Sequence, residues 1–358
     1  MGIIGESRRV VVIGTGLMGT SVALALRERG DEVRLTDRDA SSLRLAVELG
    51  AGEPLRADDG PADAAVLAVP PAAVAATLLD AQNRDLARVY TDVASVKVRP
   101  LREAAELGCD LSSFVAGHPL AGSERSGPAA ARGDLFLGRP WALCPTPETT
   151  PAALAAVAAL AEACGAQIVV LDAAEHDKAV ALVSHGPHVA AAAVAARLEA
   201  APETALGLAG QGVRDVTRIA DGDPGLWIGI LSSNAAPVAD VIDAVATDLA
   251  ATAAALRAGQ DSAVTALLAR GGAGRHRLPG KHGDRAGTYA VVSVVIPDRP
   301  GELALLFQSA GVAGVNIEDV TIEHSPGRPL GVVELSVTPD AAQRLADELR
   351  ARGWSVPG

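Results

Sequence analysis

Residues 14–19 read Gly14-Thr15-Gly16-Leu17-Met18-Gly19 and sit directly between a run of β-branched residues, 10–13, and an apolar-periodic stretch, 17–29. A strand that turns at once into a helix through three spaced glycines can fold in few ways. The first glycine permits the tight turn, the second lets backbone amides approach a pyrophosphate, and the third lets the helix pack closely on the strand. Phosphates then lie at the positive end of the helix. Asp37 follows the next predicted strand, 33–36, where a carboxylate meets ribose hydroxyls and repels a 2′-phosphate, so NAD is expected over NADP. Arg38 beside it pulls the other way. The expected cofactor contacts are Gly14, Thr15, Gly16, Leu17, Met18, Gly19, Asp37 and Arg38, with Val69 and Ser95 at the ends of later strands.

Short apolar runs at 10–13, 33–36, 65–69, 89–92, 114–116, 141–144 and 168–171 alternate with helical patterns. That order predicts an α/β fold: a Rossmann-type, doubly wound, mostly parallel sheet with helices on both faces, over residues 1–174. From 175 to 270 apolar residues recur only at helical spacing, which predicts an all-helical domain. Its alanine and leucine faces exceed what one layer of helices buries, so a symmetric homodimer is expected. Residues 271–287 are rich in glycine and basic side chains and predict a flexible linker. Beyond it the pattern is strand 289–296, helix 300–309, strands 315–323 and 332–337, helix 339–352 and strand 354–356, a βαββαβ module over 288–358.

A formal net charge of −12 argues against nucleic acid as a partner, because polyanion-binding surfaces show a basic excess. Three widely spaced cysteines, Cys109, Cys144 and Cys164, suggest neither a disulfide framework nor a metal cluster and fit a reducing cytoplasm. No stretch reads as a membrane span or as an export signal.

The chemistry-bearing segment is Gly117-His118-Pro119-Leu120-Ala121-Gly122-Ser123-Glu124-Arg125-Ser126-Gly127, about a hundred residues past the glycine loop. It sets a titratable imidazole among small residues that let a ligand approach. Four further blocks accompany it: residues 14–19; Asp92-Val93-Ala94-Ser95-Val96-Lys97; Ser184-His185-Gly186-Pro187-His188; and Asp215-Val216-Thr217-Arg218-Ile219-Ala220. Taken in chain order, the five blocks resemble the prephenate and arogenate dehydrogenases, and the resemblance covers essentially the whole chain. It implies oxidation of the C4 alcohol of a cyclohexadiene by a nicotinamide coenzyme while the ring carboxylate leaves as carbon dioxide. His118 is then the base for the C4 hydroxyl, and Ser95 a hydroxyl that bonds the same oxygen or aligns the imidazole. Arg218 clamps a substrate carboxylate in a planar fork. His188 is a second binding residue, with Pro187 placed for a helix's first turn, whose dipole favours an anion. Ser123, Glu124, Asp215 and Trp227 line or support the same pocket.

Blander roles stand beside these. Ser95 also suits the cap of a helix starting near Lys97, and Arg218 suits an ion pair with Asp215 at i−3. His118 suits a loop, and His185 with His188 suits a metal, although no third ligand accompanies them. A β-hydroxyacid dehydrogenase of the same plan would use a lysine base, for which Lys178 is the candidate, and a sensor without catalysis would need no base. Gln211-Gly212 and Ser123 depart from the family's usual residues near the pocket, leaving prephenate against arogenate open.

Residues 298–303 and 311–319 resemble the ACT domain, a βαββαβ module that binds amino acids. The resemblance implies tyrosine as an effector held by Gly311, Gly314, Asn316 and Ile317, with a module that only helps dimerisation as the alternative.

Overall fold

The structure, a computed structural model, describes residues 7–121, 126–278, 289–324 and 329–357. It divides into two compact units, Met1–Ala246 and Thr247–Gly358.

The first unit opens with β1 (Arg9–Ile13), α1 (Leu17–Glu28), β2 (Glu32–Thr36), α2 (Ala40–Glu48), β3 (Glu53–Pro54), β4 (Ala64–Leu67), α3 (Val74–Asn83), β5 (Tyr90–Asp92), α4 (Val98–Glu106), β6 (Phe114–Pro119), β7 (Pro140–Cys144), α5 (Pro151–Ala163) and β8 (Gln167–Val170). The strands form one eight-stranded sheet in the order β3-β2-β1-β4-β5-β6-β7-β8. Its order reverses between β1 and β4, which places a crevice at the carboxyl ends of those strands. Pairing is parallel except between β6 and β7. Alternation along β1 sends Val10 and Val12 into a core with Val22, Leu26 and Leu160 on one face, and Val11 into a core with Leu67, Leu78 and Phe114 on the other. That two-sided burial is why the strands read as continuous apolar runs.

The expected strand 114–116 extends to Pro119, because β7 pairs antiparallel beside it and matches His118 to Ala142. His118 is therefore a strand residue, not a loop histidine. Cys109, Cys144 and Cys164 are buried free thiols, and burial pushes the latter two up to about 12.

Beyond β8 the chain is helical: α6 (Ala173–Val180), a π-helical turn (Ala181–His185), α7 (Gly186–Ala195), α8 (Glu203–Leu206), α9 (Gln211–Thr217), a 3-10 turn (Arg218–Asp221), α10 (Pro224–Ser233) and α11 (Ala235–Arg257), within which the first unit ends. Asp172 caps α6 through the amides of Ala174 and Glu175. Among the described residues no helix is long and apolar enough to cross a membrane.

The second unit carries α12 (Asp261–Arg275), then β9 (Ala290–Pro297), α13 (Glu302–Val312), β10 (Asp319–His324), β11 (Leu330–Val337) and α14 (Pro339–Ala351). The predicted linker from 271 is helical as far as Arg275, because the alanine-rich start of α12 propagates through Gly271, Gly272 and Gly274; residues 279–288 lie outside the described residues. The three strands pair antiparallel in the order β10-β11-β9 over a core of Val294, Leu306, Leu335 and Leu345. Four expectations are corrected. The helix begins at Glu302, two residues after Pro300, because Gly301 takes a left-handed φ of 92°. The helix runs past 309 to Val312, so Gly311 is helical, and Gly314, at φ 65°, follows its end. The strand expected from 315 starts at Asp319, since Val315 bonds back to Ala310. The last strand reduces to a single bridge between Ser355 and Val295.

Candidate active site

The glycine loop is built as its spacing demands. Gly14 has φ 101°, and a Cβ there would lie 2.3 Å from Ala68 O and 3.4 Å from Val69 Cγ1. A Cβ on Gly19 would lie 1.9 Å from Gly14 O, so these two glycines serve the protein's own packing. Gly16, the N-cap residue of α1, has nothing within 4 Å of such an atom, and its side is left open to a ligand at the helix's positive end. The Asp37 carboxylate receives Thr15 N at 2.5 Å and Thr15 Oγ1 at 2.9 Å, while Asp39 N holds its other oxygen at 2.8 Å. The acid is thus aimed across the loop. Leu17 and Met18 are half-buried in the first turn of α1, Val69 is half-buried just past β4, and Arg38 is exposed.

His118 stands on β6, in the sheet order three strands along from β1, and is half-buried. Its Nδ1 lies 2.8 Å from His176 Nε2, with ring planes at 73°. His176 Nδ1 lies 2.8 Å from Asp177 Oδ1, and both residues are buried on α6. Burial, then the facing His176, Lys97 and His185, hold the His118 imidazole well below its usual range, so it is neutral at neutral pH. Beneath it runs a buried ion pair. Lys97 Nζ bonds the Asp92 carboxylate and Gly117 O, and Asp92 Oδ1 accepts Gly117 N at 3.0 Å. Block 92–97 therefore pins the backbone immediately before His118. A side chain on Gly117 would meet Asp92 O at 2.7 Å, which is why glycine stands there.

Ser95 lies in the loop after β5, the strand paired in parallel with β6. It is not the cap of α4. That role belongs to Asp177, whose carboxylate accepts the amides of Lys97 at 2.8 Å and Val98 at 3.0 Å. Among the described residues Ser95 makes no hydrogen bond to His118.

A second group gathers on α7 and its neighbours. His188 stacks on Trp227 with ring centroids 3.5 Å apart and planes within 12°, and His185 meets the same indole edge-on at 6.2 Å. Burial lowers both imidazoles, His185 to about 4. Asn234 Nδ2 bonds Asp177 O at 2.7 Å and His185 Nδ1 at 3.2 Å. Pro187 does not begin a free helix. α6, the π turn and α7 follow without a break, with Gly186 N bonded to Ala181 O, so no exposed helix terminus attracts an anion there.

The segments carrying Asp215 and Arg218 pack against α7. The two residues are not paired with each other: Asp215 accepts Gln211 Nε2 at 2.7 Å, which gives the unusual Gln211 a local task. Arg218 is exposed and, among the described residues, has no carboxylate within ion-pair distance. Lys178 is exposed on α6, turned away from the buried His176 and Asp177. Ser123 and Glu124 lie outside the described residues. His176 and Asp177 escape a reading by motif. A His-Asp dipeptide one turn inside an Asp-capped, alanine-rich helix is the only local cue.

The prephenate dehydrogenase nucleotide-binding domain matches residues 22–170, and the prephenate dehydrogenase dimerization domain matches residues 172–270. The probable prephenate dehydrogenase NovF of Streptomyces niveus is 44% identical over 97% of this chain and 99% of its own. The crystal structure of prephenate dehydrogenase from A. aeolicus in complex with hydroxyphenyl propionate and NAD+ superimposes with a TM-score of 0.68 at 27% identity, covering 76% of this chain and 98% of that one. Synechocystis arogenate dehydrogenase gives 0.63 at 29% identity, over 75% and 98%. With both constituent domains matched in order and nearly half of all positions shared with a full-length relative, the chain belongs to the prephenate dehydrogenase family.

Proposed function

We propose that this chain is an NAD-dependent prephenate dehydrogenase that converts prephenate to 4-hydroxyphenylpyruvate with loss of carbon dioxide. The observation that carries the reading is a neutral, partly accessible imidazole, His118, on the sheet whose β1–α1 turn leaves Gly16 open for a pyrophosphate. The relatives above named as dehydrogenases support the same reaction.

Thr15, Gly16, Leu17 and Met18 would hold the pyrophosphate on the turn that Gly14 and Gly19 make possible, Asp37 and Arg38 the adenosine ribose, and Val69 and Ser95 the nicotinamide half. Once bound, the coenzyme supplies the hydride acceptor. His118 takes the C4-hydroxyl proton, with Ser95 donating to the same oxygen. Arg218, exposed and without an ion-pair partner among the described residues, would bind a substrate carboxylate by two parallel bonds. His188, neutral and flat against Trp227, offers a donor without charge. Asp215, held by Gln211, would line the pocket, and Ser123 and Glu124, outside the described residues, are assigned to it from the sequence alone. Leu208 and Ile228, 87% and 63% exposed on the helical part of the first unit, favour a homodimer. In the C-terminal module the left-handed Gly314 and the neighbouring Gly311, Asn316 and Ile317 are the place for tyrosine as effector.

Replacing His118 by Asn tests the assignment. It should lower kcat by about 10²- to 10⁴-fold and leave NAD affinity intact. Normal turnover by His118→Asn would overturn it.

A further inference from the structure

We infer that His176 and Asp177 are positioning residues that fix the tautomer of His118, leaving Nε2 as its sole proton-accepting nitrogen. The inference rests on the proposed role of His118 and deepens it.

The proton positions are set from the carboxylate outward. Asp177 as a carboxylate only accepts hydrogen bonds, so the 2.8 Å contact to His176 Nδ1 requires a proton on that nitrogen. In a neutral His176 ring, Nε2 is then an acceptor. The 2.8 Å contact to His118 Nδ1 in turn requires the proton there. His118 Nε2 is left with its lone pair, on a ring that is half-buried while His176 is 1% exposed.

Each member is held from outside the chain of bonds. Asp177 cannot rotate, because Oδ1 also receives Lys97 N and Oδ2 receives Val98 N, and its own carbonyl receives Asn234 Nδ2. His176 is clamped between two partners at 2.8 Å. The edge-on meeting of the two imidazoles, centroids 5.0 Å apart, aims one nitrogen of each at the other.

The same bonds serve the protonated state. When His118 Nε2 takes the hydroxyl proton, the ring becomes an imidazolium. Its Nδ1–H keeps donating to His176 Nε2 in a charge-assisted bond, roughly twice as strong as the neutral one. No proton leaves Nδ1. A neutral His176 that accepts this bond opposes the burial and the facing Lys97 and His185, whereas a charged His176 would join them in disfavouring that imidazolium.

Imidazole-¹⁵N NMR of the coenzyme-free protein tests this without turnover, with the His118 signals assigned by their loss in His118→Asn. His118 and His176 should both carry their proton on Nδ1. His176→Phe, with no acceptor, should release His118 into a tautomer mixture and cut kcat on the order of 100-fold while KM for prephenate changes little. His176→Gln, whose amide oxygen can occupy the Nε2 position, should restore the tautomer and most of kcat. A wild-type His118 protonated on Nε2, or a His176→Phe protein with unchanged tautomer and kcat, overturns the inference. If His176→Phe does not fold, the wild-type spectrum and His176→Gln still decide. A wild-type enzyme inactive on prephenate but with the expected tautomers would instead defeat the substrate reading alone.

Discussion

Asp177, on the helix that follows the sheet, receives the backbone amide of Lys97 at 2.8 Å across a sequence separation of eighty residues. One carboxylate therefore caps α4 and anchors the imidazole pair behind His118. Removing it strips the cap from two amides and leaves a buried imidazole proton unpaired.

Asp177→Ala should accordingly lose about 3 kcal/mol of stability, from the missing cap and the unsatisfied buried donors. Urea denaturation checks this. A change below about 0.5 kcal/mol, the range of ordinary surface substitutions, would mean that the cap contributes nothing.

Gly16 and Gly19 should respond oppositely to the same added methyl. On Gly19 it meets Gly14 O at 1.9 Å, a backbone atom that cannot step aside, so Gly19→Ala should cost about 2 kcal/mol or more. On Gly16 it meets nothing within 4 Å, so Gly16→Ala should fold normally and weaken NAD binding at least about tenfold, or 1.4 kcal/mol, in calorimetric titration. Equal NAD affinity in Gly16→Ala and wild type would remove Gly16 from the coenzyme site.

The contrast between those glycines is also a measure of what a sequence discloses. The strand, loop and helix at 10–29 are local, and their periodicity and glycine spacing read directly. The extension of β6 through His118 depends on β7 pairing antiparallel beside it, a partner chosen by tertiary structure. From sequence Pro187 predicts a helix start, because proline suits a first turn. The π turn at Ala181–His185 instead joins α6 to α7 and carries the helix through. The bond from His118 to His176 spans 58 residues and leaves no periodic trace.

The histidines predict how the protein answers acid. His118, His185 and His188 are all held below the usual imidazole range, chiefly by burial. The base-competent form of His118 is the neutral one, so kcat/KM should hold as pH falls through 6.5 and drop only below it. Stability has the same sign. The unfolded chain binds protons first, so stability is lost as pH falls from about 6.5 towards about 4, the His185 value. For His185, with Asp177 partly offsetting the burial, the loss is on the order of 2 kcal/mol once solvent screening is allowed for. Thermal melts of wild type and His185→Gln between pH 7 and 4 should diverge; parallel curves would refute the shift.

Among the described residues Arg218 has no carboxylate within ion-pair distance, and in its proposed role its fork binds the substrate. Arg218→Ala should raise KM for prephenate by roughly 10- to 150-fold, equivalent to about 1.5 to 3 kcal/mol of charged hydrogen bonding, with a smaller change in kcat. Lys should restore only part, since an ammonium cannot make the two parallel bonds. Steady-state kinetics with KM within twofold of wild type would move the carboxylate site elsewhere.

Gly222 decides whether the His188–Trp227 stack matters. It follows the 3-10 turn that carries Arg218, and a Cβ there would fall 2.4 Å from Trp227 Nε1 and 3.1 Å from His188 Cε1. The indole is a rigid plane already flat on His188, so it cannot yield without opening the stack. Gly222→Ala should therefore displace Trp227 and with it the donor that His188 offers. The expected signature is an altered tryptophan emission spectrum and KM for prephenate raised several-fold, while NAD affinity, set at the glycine loop, stays unchanged. A shifted emission with unaltered KM would make the stack packing alone, because the indole would then have moved without the substrate registering it.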